Sequence, residues 1–231
     1  MDTQTTLRYK VHMTARLHDT HDVDDSASLD PAEMLALAAT ADRGVRRVSE
    51  AQVPVHYFVW GGAWLAGYTL LWAAWDGTTS PVVLPMWIAA PVFALLFIGA
   101  AVVSAVVGAR STRGIRGGSS VVGVVYGLSW PILGIPAAAL GSALVRMTGD
   151  PDVGALYYPS VFALIVSALY LAGFMMWRSV DQLVIAIVLA VAAGITPWFG
   201  APLNLLAMAL IAGVALLAGG VVAVVRNRRR G

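Results

Sequence analysis

Residues 82–108 read VVLPMWIAAPVFALLFIGAAVVSAVVG, an apolar stretch without one charged side chain. A helix needs about 20 such residues to cross the hydrocarbon core of a bilayer. Five more segments of the same kind surround it, at roughly 57–75, 119–142, 156–177, 181–199 and 203–225. The breaks between them carry turn and charge signals. Asp76-Gly77-Thr78-Thr79-Ser80-Pro81 is a tight polar turn, and Arg110 to Gly118 is a basic loop with glycines. Arg146 to Gly154 holds Asp150-Pro151-Asp152, Arg178 to Asp181 is a short charged turn, and Gly200-Ala201-Pro202 separates the last two segments.

Composition agrees with a chain that lives in lipid. Hydrophobic residues make up 58% and charged residues 12%, against roughly 25% charged in soluble domains. Nearly every charge lies before residue 55, in a connecting loop, or in the last six residues. Apolar stretches this long and closely spaced form one bundle in a bilayer, not a water-soluble core. With no cysteine, thiolate chemistry, Cys-ligated metals and disulfides are excluded. The first 54 residues are polar and hold no apolar signal-peptide core, so the first membrane helix is expected to direct insertion itself. A net charge of +2 does not point to nucleic acid, since the arginines sit where membrane topology needs them.

Orientation follows from Lys and Arg, which cytoplasmic loops retain. With the N-terminus inside, the cytoplasmic side receives Arg43, Arg46, Arg47, Arg110, Arg113, Arg116, Arg178 and the C-terminal cluster Arg226, Arg228, Arg229 and Arg230. The outer side receives only Arg146. An odd number of spans would strand the C-terminal arginines outside. Aromatic residues mark the span ends at headgroup depth: Tyr57, Phe58, Trp60 and Trp177 inside, and Trp72, Trp75, Tyr157, Tyr158, Trp198 and Phe199 outside.

Two features precede the first span. Residues 7–17 alternate apolar and polar, the period of a half-buried strand. This is read either as a disordered tail with chance alternation or as a segment that adds to a partner's sheet edge. Asp30-Pro31-Ala32-Glu33 then has a helix-start pattern of capping Asp, Pro at the first position and Glu at the third. Met34, Ala38, Ala41, Val45 and Val48 share one face of that helix, with Arg43, Arg46 and Arg47 largely off it. The reading is an interfacial helix whose three arginines lie near anionic headgroups. Its alternative packs the apolar face on a cytoplasmic protein or a second copy of the chain.

Membrane helices associate through small residues that let backbones approach. Candidates four apart are Ala63 and Gly67, Ala100–Ser104–Gly108, Gly123 and Gly127, Ala186–Ala190–Gly194, and Ala209 and Gly213. No Asp, Glu, Lys, Arg or His falls in the central part of any span, which disfavours a proton-coupled transporter. Mid-membrane polarity gathers in three helices instead: Tyr68 and Thr69, Tyr126 and Ser129, Ser167 and Tyr170. In the third segment Pro131 removes the hydrogen bond to the Gly127 carbonyl and Pro136 the one to Ile132. A broken membrane helix requires its freed carbonyls to face protein or a polar cavity. Tyr126, Ser129, Trp130, Tyr68, Ser167 and Tyr170 are therefore the candidate substrate-binding residues. The competing reading is a plain proline kink whose neighbouring hydroxyls satisfy backbone groups. Pro85 and Pro91 are read as kinks in the second helix. His18 and His21 sit in an acidic tail and are read as solvated residues rather than metal ligands. No catalytic triad, paired carboxylates, HExxH or phosphate-binding loop is present, so no enzyme activity, metal or cofactor is expected.

The run Leu29-Asp30-Pro31-Ala32-Glu33, Val45-Arg46-Arg47, Tyr57, Trp60-Gly61-Gly62-Ala63-Trp64-Leu65-Ala66-Gly67-Tyr68 and Leu71-Trp72 resembles multi-pass membrane proteins of high-GC Gram-positive bacteria. That resemblance covers about a fifth of the chain and implies no particular chemistry. An interfacial helix followed by six spans is also similar to the permease half of some ABC exporters. Those usually carry a larger outer segment before the last span, where this chain has only Gly200 to Pro202. The expectation is an all-α membrane protein, a six-transmembrane-helix bundle preceded by a cytoplasmic amphipathic helix. Its parts are a tail (1–29), the interfacial helix (30–54), the membrane domain (55–225) and a basic tail (226–231). Both termini are expected in the cytoplasm, with the chain multi-pass in the inner membrane. The leading functional expectation is a non-enzymatic, permease-like transport component. The alternative is a membrane scaffold or sensor that binds a cytoplasmic partner through its N-terminal region.

Overall fold

A computed structural model of the chain describes residues 30–111 and 118–230. The alternating stretch 7–17, His18 and His21, Arg113 and Arg116 lie outside the described residues, as do the side chains of Arg43, Arg46 and Arg47. The described residues contain helices and turns but no strand. In order they are α1 (Pro31–Ala74), α2 (Met86–Ser111), α3 (Gly118–Thr148), α4 (Pro151–Trp177), α5 (Val180–Ile195), a 3-10 turn (Thr196–Phe199), α6 (Leu203–Met208), a π turn (Ala209–Gly213) and α7 (Val214–Arg230). The chain divides into two units, residues 1–46 and 47–231.

Five helical stretches are long and apolar enough to cross a membrane: Met86–Arg110, Val121–Thr148, Pro151–Trp177, Val180–Phe199 and Leu203–Arg229. The segment expected at 57–75 is helical to Ala74 but is not among them. Its physical reason lies in composition. Trp60, Trp64, Trp72, Tyr57, Tyr68 and three glycines put indoles, phenols and bare backbone where the other segments carry Val, Leu and Ile.

Helix ends follow local chemistry. In the first unit Asp30 caps α1, its Oδ1 accepting from Ala32 N at 3.2 Å. Two expectations need correction. Pro85 is not a kink but precedes the first residue of α2, where its carbonyl accepts from Ala89 N; a proline at a helix start loses no intrahelical bond. The loop expected from Arg146 to Gly154 shrinks to Gly149 and Asp150. Gly149 takes φ 69°, which ends α3, and Asp150 Oδ1 caps α4 by accepting from Asp152 N, with Pro151 at the first helical position. At the other end of α4, Arg178 adopts a left-handed conformation (φ 54°) and its N–H bonds the Phe174 carbonyl.

The core lies between the 57–74 part of α1 and helices α4 to α7. Tyr57, Trp64, Tyr68, Leu189, Leu205, Met208 and Leu216 are buried there among alanines of α5 and the last span. Helix α1 and the last span interlock through two glycines, Gly61 of α1 and Gly213 of the π turn that leads into α7. A Cβ on Gly61 would lie 2.9 Å from Leu217 N, and one on Gly213 would lie 2.8 Å from Leu65 N. Each helix thus lends a bare glycine to the other's leucine, the close approach that drives helix association in lipid. Gly67 makes room for the rings of Phe93 and Phe97 of α2. The two outlying helices differ from the rest: only 6% of the α2 apolar window and 0% of the α3 window is buried, against 28–39% in the last three spans.

Candidate functional site

The six candidate residues do not converge on one place. Tyr126 and Trp130 of α3 and Tyr170 of α4 do meet. Trp130 packs edge-on to Tyr170 at 6.2 Å and to Tyr126 at 6.3 Å between ring centroids. The row extends at both ends, to Trp177 beside Tyr126 at 5.0 Å and to Tyr57 of α1 beside Tyr170 at 6.2 Å. Such edge-to-face pairs contribute about 0.5–1.5 kcal/mol each beyond their burial, so the row joins α1, α3 and α4. Tyr68 belongs to a separate cluster with Trp64, Phe93 and Phe97. There the indole N–H of Trp60 donates to Ser104 Oγ at 2.9 Å, which ties α1 to α2.

The serines point away from a common centre. Ser129 Oγ turns back on its own helix and donates to the Val125 carbonyl at 2.9 Å. Ser167 is buried and donates to the Ala186 carbonyl of α5 at 2.7 Å. Pro131 and Pro136 both lie inside α3, which continues through them.

Two polar groupings escape the sequence reading. One gathers where α5 begins and α7 ends. Asp181 pairs with Arg226 at 2.5 Å, and both lie close enough to Tyr57 to act on it electrostatically. Tyr57 is 2% exposed, and neither its hydroxyl nor Gln182 Oε1 has a protein partner. The sequence puts both at the same end, because Asp181 opens and Arg226 closes an antiparallel hairpin that turns at Gly200–Pro202, but the pairing itself depends on how the two helices rotate against each other. The other grouping is at the opposite end of the bundle. Trp75 Nε1 donates to Asp152 Oδ1 at 2.8 Å, Tyr157 OH to the Ala137 carbonyl at 3.0 Å, and Asn204 Nδ2 to the Ala155 carbonyl at 2.6 Å. Asn204 had no signal beyond being an amide next to a helix break.

Among the described residues no three His, Asp or Glu side chains converge in a way that could hold a metal ion. No protein-family model, curated protein or solved structure matches this chain.

Proposed function

We propose that the chain is a non-enzymatic protein of the bacterial inner membrane with six spans, both termini in the cytoplasm, acting as a membrane-embedded partner of other proteins. The sixth span is residues 57–74. Tyr57 meets Tyr170 near the C-terminal end of α4, and Trp75 reaches Asp152 at its N-terminal end. The segment therefore runs the length of α4, and at 1.5 Å per residue 18 residues cover about 27 Å, close to the hydrocarbon thickness. Its indoles and phenols are held by protein contacts rather than by lipid.

The observation that favours a partner over a conduit is the use of the two mid-membrane serines. Ser129 and Ser167 both donate to backbone carbonyls, which leaves neither hydroxyl proton for a passing solute. The permease-like reading keeps one specific support. Pro131 provides no N–H for the Gly127 carbonyl, and Gly127 directly follows Tyr126 of the aromatic row in sequence. Single cysteines at Ser129 and Ser167 separate the two readings, because the chain has no cysteine of its own. In proteoliposomes, charged thiol reagents added to either face should leave both unmodified. Modification of either one from an aqueous face would establish a water-lined path and favour transport.

A further inference from the structure

The corner where α4, the 3-10 turn and α6 pack together holds two polar side chains with no exposure at all. Thr196 and Asn204 are each 0% exposed. Thr196 Oγ1 and Asn204 Oδ1 have no protein hydrogen-bond partner, and so do not bond each other. The N–H donors of both residues are engaged. Asn204 Nδ2 donates to the Ala155 carbonyl, Asn204 N to the Gly200 carbonyl at 2.9 Å, and Thr196 N to the Ala192 carbonyl. Pro197 follows Thr196 and has no N–H, so the buried Ala193 lacks the donor that its carbonyl would meet one turn on.

The donor count defines what is missing. The Asn204 oxygen and the Ala193 carbonyl can only accept, while the Thr196 hydroxyl can donate once and also accept. A partner must therefore supply two hydrogens and take up one. Water does this with the three bonds typical of buried waters. A monovalent cation would answer the oxygens, but it would bring an unpaired charge into a buried corner whose side chains are an amide and a hydroxyl, and burying an uncompensated charge costs far more than burying a neutral dipole. We propose that Thr196, Asn204 and the Ala193 carbonyl form a binding site for one water molecule, which links α5 to α6 beside the direct Asn204–Ala155 bond between α6 and α4. The site stands independently of whether the protein conducts a solute or binds a partner.

Thr196→Val tests it, because valine keeps the shape and removes the hydroxyl. If water is bound, the substitution strips it of a partner and the unfolding temperature of the detergent-purified protein should fall by roughly 2–4 °C. Thr196→Ser keeps the hydroxyl and should hold more of the wild-type value than Thr196→Val. If the corner is dry, Thr196→Val removes an unsatisfied polar atom, and an unchanged or raised unfolding temperature would overturn the proposal. The same measurement in sodium chloride and in choline chloride of equal ionic strength should agree. A sodium-specific rise that Thr196→Val abolishes would assign the site to a cation instead.

Discussion

At the scale of single residues, the bundle shows how the same side-chain type is used differently according to what surrounds it. Ser129 satisfies its own helix, Ser167 bridges to α5, and Ser104 receives the Trp60 indole. Sequence position alone ranked Ser129 and Ser167 together, since both fall at mid-span. Direction around the helix separates them, and direction depends on which neighbour packs there. Tyr57 supplies a sharper case, with a buried hydroxyl that no protein group answers beside the Asp181–Arg226 pair. Removing a buried hydroxyl that has no partner should be neutral or stabilising by up to about 1–2 kcal/mol. Tyr57→Phe keeps the ring contact with Tyr170 and is expected to hold or raise the unfolding temperature. A clear fall would mean that the hydroxyl bridges to the ion pair through solvent.

At the scale of elements, small residues four apart are legible in most spans, yet they divide sharply by use. Gly61 and Gly213 sit backbone against backbone where α1 crosses the π turn and the start of α7, whereas Gly99, Gly108, Gly123, Gly127 and Gly194 would each accept a Cβ into open space. Gly213→Ala forces a methyl to 2.8 Å from Leu65 N, where only a backbone shift relieves the clash. Overpacking of that kind costs about 1–3 kcal/mol, so Gly213→Ala should lower the unfolding temperature while Gly99→Ala leaves it unchanged or slightly raised. Equal responses would show that the α1–α7 crossing is looser than the interlocked leucines imply. Helix existence and approximate limits could be read from apolar length, and the Asp30 and Asp150-Pro151 starts from capping chemistry. Pairing could not, because it depends on which of several similar small-residue faces finds another. Gly61 and Gly123 are indistinguishable in sequence for that reason, and only half of the aromatic row is visible there because Tyr57 and Trp177 read as interfacial anchors.

At the scale of the whole membrane domain, the two ends of the bundle differ in charge, and the proposed orientation rests on that difference. The Trp75–Asp152 and Asn204–Ala155 bonds gather the loops after α1, α3 and α5 at one end, which carries Asp76, Asp150, Asp152 and Arg146. The Asp181–Arg226 pair marks the other end, with Arg178, Arg228 and Arg229 close by in sequence. Under the proposed topology, retention of positive charge in the cytoplasm puts the second end inside, with residues 57–74 crossing the bilayer beside the other spans. Single cysteines at Thr78, Thr148, Ser179 and Ser28 test both points in one experiment. In intact cells an impermeant maleimide should label Thr78→Cys and Thr148→Cys, while Ser179→Cys and Ser28→Cys react only after the membrane is opened. Reversal of all four would invert the bundle and leave six spans intact. Labelling of Ser28→Cys together with Thr78→Cys would mean that the aromatic segment packs on the bundle without crossing, and the number of spans would then be five.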